Sequence, residues 1–191
     1  MRPSRIARMP PPVSHNLFFA LWPDADARAQ IDATARHLKQ VHAPAGHWIK
    51  PHRYHLTLLF LGEHANLPAD LVTAACAAGD HVSAPAFDFA LDVAASFANR
   101  KIPWWLGCRE IAPGLARLRA GISAGLRASG YGIRDEADPV AHVTILRDAG
   151  RALPATPIAP IEWAVGEFVL IDSRLGPESS YTVVRRWALR E

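Results

Sequence analysis

Cysteine is nearly absent: Cys76 and Cys108 are the only two in 191 residues. Two thiols allow at most one bridge, which excludes a small disulfide-stapled scaffold and leads us to expect a reduced, cytoplasmic protein. Long apolar runs are missing too. No stretch reaches the roughly 18 residues that a spanning helix needs, so no membrane association is expected. The opening MRPSRIARMPPPV lacks the apolar segment of a secretory signal. It carries Arg2, Arg5 and Arg8 and ends in three prolines, and we read residues 1–14 as a flexible basic, proline-rich tail. No glycine-rich loop that would cradle phosphates occurs, and no serine or cysteine nucleophile motif, so nothing invokes ATP.

Histidine is plentiful, with nine copies, which raises the question of a metal enzyme. His42, His47, His52 and His64 surround the first motif discussed below. They form no helical HExxH pattern and have no cysteine cluster beside them, and they fall mainly in expected loops. The expectation is therefore no metal and no cofactor. Half of the chain is hydrophobic, enough for a sizeable core. The net charge of +3 suits an anionic substrate without proving one.

Alternation and helical periodicity divide the chain into elements. Strands are expected at 16–22, 54–61, 86–97, 104–109, 140–146, 163–172 and 181–189, with Gly62 ending the second. Helices are expected at 24–41, capped by Asp24, at 67–80 and at 113–129. Residues 42–53 read as loop with a short extended piece around Trp48, and the proline-rich 149–160 as loop. Several neighbouring strands are joined by short turns, which favours an α+β fold with antiparallel sheets over a parallel one. A helix leading through a loop to a strand with His-x-Thr occurs twice, which suggests a pseudo-symmetric pair of lobes. We expect residues 15–191 to form a single bilobal domain.

The two motifs are HLTL, with His55 and Thr57, and HVTI, with His142 and Thr144, 87 positions apart. Residues two apart on a strand share a face, so each strand presents an imidazole and a hydroxyl together. One such pair is an ordinary hydrogen-bonded histidine beside a β-favouring threonine. Two pairs invite a shared active site. Arg147 follows the second motif and either approaches a phosphate or is a surface arginine. Phe18, or the pair Trp104–Trp105, either stacks on a base or packs in the core. Tyr181 is assigned no role.

These tetrads resemble the signature of the two-histidine (2H) phosphoesterases, and the flanking text is similar to the RNA 2′,3′-cyclic phosphodiesterases, also called 2′-5′ RNA ligases (LigT-like). The matching pieces are LFFALWPD, HLTLLFLG, HVTILRD and FVLIDSRLGPESSYTVVRRW, and they cover nearly all of the chain after residue 15. Ala141 departs from the proline common before the second motif. The resemblance implies two lobes facing each other across a central groove, with helices outside, and a metal-independent hydrolysis of RNA 2′,3′-cyclic phosphate ends to 2′-phosphomonoesters. It casts His55 as proton donor and His142 as proton acceptor, with Thr57 and Thr144 on phosphate oxygens and reversible 2′-5′ ligation by the same groups. The implied partner is RNA with a cyclic phosphate end, or a related cyclic nucleotide, with no obligate protein partner. The competing reading is a non-catalytic nucleotide- or RNA-binding module that uses the same groove.

Overall fold

The computed structural model describes residues 14–132, 140–176 and 179–190. Most of the expected basic tail lies outside them, as does part of the turn before the last strand. Ser14, expected at the end of that tail, already belongs to the first strand. In chain order the strands are β1 (Ser14–Leu21), β2 (His47–Trp48), β3 (Leu56–His64), β4 (Phe87–Ser96), β5 (Trp104–Gly107), β6 (His142–Arg147), β7 (Thr156–Val165), β8 (Glu167–Leu175) and β9 (Ser180–Ala188). The helices are α1 (Ala25–His42), α2 (Ala69–Asp80) and α3 (Pro113–Ala128), with a short 3₁₀ turn at Pro51–Arg53.

The fold is α+β. Its strands run antiparallel in the order β7-β4-β5-β6-β3-β1-β8-β9, with β2 paired to β6. Two four-strand halves meet in the middle of that order, and the junction is a single residue pair, Leu56 with Val143. Each half turns its His-x-Thr strand inward, β3 in one and β6 in the other. These halves of the strand order correspond to the two expected lobes.

The helices lie behind the sheet, and α1 and α3 are exchanged between halves. Helix α1 leaves β1 of one lobe but packs against β7 of the other. Helix α3 leaves β5 of the second lobe and packs against β3 of the first, while α2 lies against α3 and β9. The apolar stripe predicted for α1 is buried at Ala27, Ile31, Ala35 and Leu38, and Asp24 caps the helix by accepting from the Ala27 amide at 2.8 Å. One core cluster runs behind both lobes, and it includes Leu56, Leu58, Val143 and Ile145 between the motif residues.

Three expectations are corrected. The predicted loop at 149–160 is strand from Thr156 onward, because β7 is the sheet's edge. Pro157 and Pro160 lack an N–H, and an edge strand tolerates that. The predicted strand 163–172 is two strands split at Gly166, with β7 paired to β4 and β8 to β1 and β9. Gly62 does not end β3. It takes a φ of 117°, open to glycine, where the β1–β3 register slips, and the strand continues to His64.

Candidate active site

Antiparallel pairing of Leu56 with Val143 has a direct consequence for the motif residues on the open face of the sheet. Extending the register by one residue each way sets His55 opposite Thr144 and Thr57 opposite His142. The four predicted residues thus come together at the seam between lobes. All four are half-buried, while their Leu, Val and Ile neighbours point into the core behind.

Each histidine is held the same way. His55 Nδ1 lies 2.8 Å from the carbonyl oxygen of Arg53, and His142 Nδ1 lies 2.7 Å from that of Val140. A carbonyl only accepts, so in both rings Nδ1 carries the proton and donates it. Each neutral imidazole then keeps Nε2 as a free base, ready to take a proton or, once charged, to give one.

Aromatic rings fix the imidazoles from the sides. Phe18 stacks on His55 at 5.0 Å, and the edge of Tyr181 meets it at 5.4 Å. Phe97 meets His142 edge-on at 4.8 Å, and Trp105 stands 6.1 Å away. Trp105 rests over Gly107, where an added Cβ would fall 2.8 Å from the indole and 2.7 Å from the Ala141 carbonyl. A side chain at 107 would therefore displace the wall beside His142.

This packing sets the electrostatics. Burial pushes His55 down to about 4; its bond to the Arg53 carbonyl opposes the shift, and the positive charges of Arg147 and Arg53, with that of His142 whenever it is protonated, add to it. Burial also lowers His142, against the pull of the Val140 carbonyl. Arg147 is exposed at the end of β6, and its charge reaches His55.

The aromatic candidates separate. Phe18 is 5% exposed, and its ring face is occupied by His55. Trp104 is fully buried on the core side, donating from Nε1 to the Arg151 carbonyl at 2.9 Å. Phe60 was missed by the sequence reading. Strict alternation from His55 puts it on the core face, but the β1–β3 ladder slips between Phe19 and Ala20, and Phe60 pairs with Phe18. It therefore lies on the open face, 54% exposed, lining a cleft of about 820 Å³ with Thr57 and His142. Among the described residues no group of three or more His, Cys, Asp or Glu is placed to hold a metal ion.

Comparison with known proteins agrees with this geometry. Residues 21–105 match the sequence profile of the family described as LigT like Phosphoesterase. The chain is 32% identical over 180 residues to the RNA 2′,3′-cyclic phosphodiesterase of Escherichia coli, covering 92% of this chain and 97% of that one. It is 30% identical over 192 residues to the protein of the same name from Thermus thermophilus, covering 91% and 90%. Among solved structures, E. coli LigT complexed with 3′-AMP superposes with a TM-score of 0.72 at 32% identity, covering 93% of this chain and 99% of that one.

Proposed function

The chain belongs to the LigT-like phosphoesterase family, and we propose that it hydrolyses RNA 2′,3′-cyclic phosphate ends to 2′-phosphomonoesters by paired-histidine acid–base catalysis. The observation that carries this reading is the Leu56–Val143 pair that joins the two motif strands, together with two imidazoles whose Nδ1 atoms each donate to a main-chain carbonyl and leave Nε2 as the basic nitrogen.

The chemistry follows from those groups. His142 Nε2 takes a proton from water as the water oxygen bonds to phosphorus. The bond from phosphorus to O3′ breaks, and protonated His55 supplies the proton that O3′ needs. Thr57 and Thr144 donate to the nonbridging oxygens as charge grows there. Arg147 adds a positive charge at the same end of the groove. In the ligation direction the two histidines exchange roles. No step calls on a metal or a cofactor.

Several observations support the wider reading. One relative, E. coli LigT, has been crystallised in complex with 3′-AMP and with ATP. No helix among the described residues is long and apolar enough to cross a membrane. Both cysteines are free thiols, which suits a reducing cytoplasm. The exchanged helices and the shared core favour residues 15–191 acting as one bilobal unit.

The direct test supplies RNA ending in a 2′,3′-cyclic phosphate and assigns the product by phosphorus NMR. A 2′-phosphate is expected. Predominant 3′-phosphate would overturn the assignment of the leaving oxygen, and binding without turnover would leave only a binding module.

Phe60 gives a second expected result. Its exposed ring beside the phosphate site is positioned to stack on the terminal base, an interaction worth about 1–3 kcal/mol. Phe60→Ala should raise KM roughly 5- to 150-fold with kcat little changed. Because the ring is half exposed, Tm should barely move. An unaltered KM would remove Phe60 from the site.

A further inference from the structure

The turn that leads into His55 carries charge that the chemistry above does not use. Lys50 and His52 are exposed and Arg53 is half-buried, so three basic side chains flank Pro51 within four positions. Among the described residues no carboxylate forms an ion pair with any of them. The guanidinium of Arg53 is nevertheless held in place. Its carbon stands 4.3 Å from the centre of the Tyr181 ring, and Nη1 donates to Ser179 Oγ at 3.1 Å. Both partners are neutral, so they orient the charge without cancelling it. The turn itself is anchored: the Arg53 amide donates to the Lys50 carbonyl at 2.8 Å, the Ile49 amide to that of Ile145 at 2.9 Å, and Tyr54 is buried.

We propose that this turn holds the backbone of the RNA strand upstream of its cyclic end, with Arg53 on the phosphate next to the terminal nucleoside and Lys50 and His52 on phosphates farther out. The enzyme then acts on an oligonucleotide in preference to a cyclic mononucleotide. The inference rests on the proposed cyclic-phosphate activity and adds the length of the substrate to it. Its physical basis is local. The cyclic phosphate belongs between the histidines, and the Tyr181 ring touches both the Arg53 guanidinium and the His55 ring. A planar guanidinium, stacked and uncompensated, presents its fork to phosphate oxygens at little entropic cost. Arg147 extends the same positive potential from the other lobe.

The test compares kcat/KM for a 2′,3′-cyclic mononucleotide and for a five-nucleotide RNA ending in the same nucleoside cyclic phosphate, over a range of salt. Wild type should favour the longer substrate at least about tenfold at low salt. Its log–log salt dependence should be steeper on that substrate by about 0.7 for each additional phosphate engaged. Arg53→Ala should cut the preference severalfold and the slope by about 0.7, and Arg53→Lys should restore part of both. Lys50→Ala, farther from the histidines, should reduce the preference in the same direction by less. All these variants keep the main-chain carbonyl that anchors His55, and thermal melts confirm that they fold. Equal losses on both substrates would confine Arg53 to bracing Tyr181 and overturn the inference. A wild-type enzyme active on both substrates with equal slopes would overturn it too, leaving the activity intact. A wild-type enzyme inactive on both would remove the activity and the inference with it.

Discussion

Replacing His55 or His142 by alanine should each lower turnover on a cyclic-phosphate RNA at least about a hundredfold, since one positioned acid or base contributes about 10²–10⁴. Both variants should fold, because the core behind the seam is built from Leu56, Leu58, Val143 and Ile145 rather than from the imidazoles. The double variant should lose far less than the product of the single losses, because the two groups serve one transition state. Thr57→Ala and Thr144→Ala should each cost less than loss of a histidine. Circular dichroism beside single-turnover rates checks all of this. A folded single histidine variant with near wild-type turnover would end the paired-histidine mechanism.

The second large effect is on pH. The reaction needs one imidazole protonated and the other neutral. Burial depresses both in the free enzyme, His55 to about 4 and His142 below its ordinary value. A group with a lowered pKa loses its proton earlier as pH rises, so near neutrality both rings are neutral and the active, singly protonated form is scarce. That form falls about tenfold per pH unit above the higher of the two apparent values, which belong to the pair. The alkaline limb of kcat/KM should therefore have its midpoint below the ordinary histidine value of about 6.5. A bound phosphate anion reverses the bias by favouring the charged imidazole. The profile of kcat should lie at higher pH than that of kcat/KM, and calorimetry in buffers of different ionisation heat should show proton uptake when inorganic phosphate binds. A kcat/KM that stays flat or rises from about pH 6.5 to 8 would contradict the depressed pair.

Much of this arrangement was legible in the chain because it rests on short-range rules. Alternation placed His55 with Thr57 and His142 with Thr144, and the periodicity of Ala27, Ile31, Ala35 and Leu38 fixed α1 nearly to its ends. The misread parts depend on long-range pairing. Pro157 and Pro160 argue for a loop until β7 is known to be an edge, and edge status is a property of the assembled sheet. Phe60 reaches the open face only through a slip against β1, about forty residues earlier in the chain, and the strand's own sequence does not announce it. Arg53 and Val140 act on the histidines through main-chain carbonyls, which every residue type possesses, so no side-chain pattern could have marked them.

The exchange of helices bears on how the protein is made. Strand β1 is hydrogen-bonded on one side to β3 and on the other to β8, some 150 residues later, while β3 takes its helical cover from α3, which follows β5. The half that emerges first from the ribosome cannot close until nearly the whole chain has followed it, and α1, made early, stays uncovered until β7 of the other half arrives. Pairings between such distant segments are slow to form. During synthesis the early strands, with their apolar LFFAL and LTLLFL runs, stand open to wrong partners, and chaperone protection in that interval matters more for this chain than for one whose halves mature in sequence.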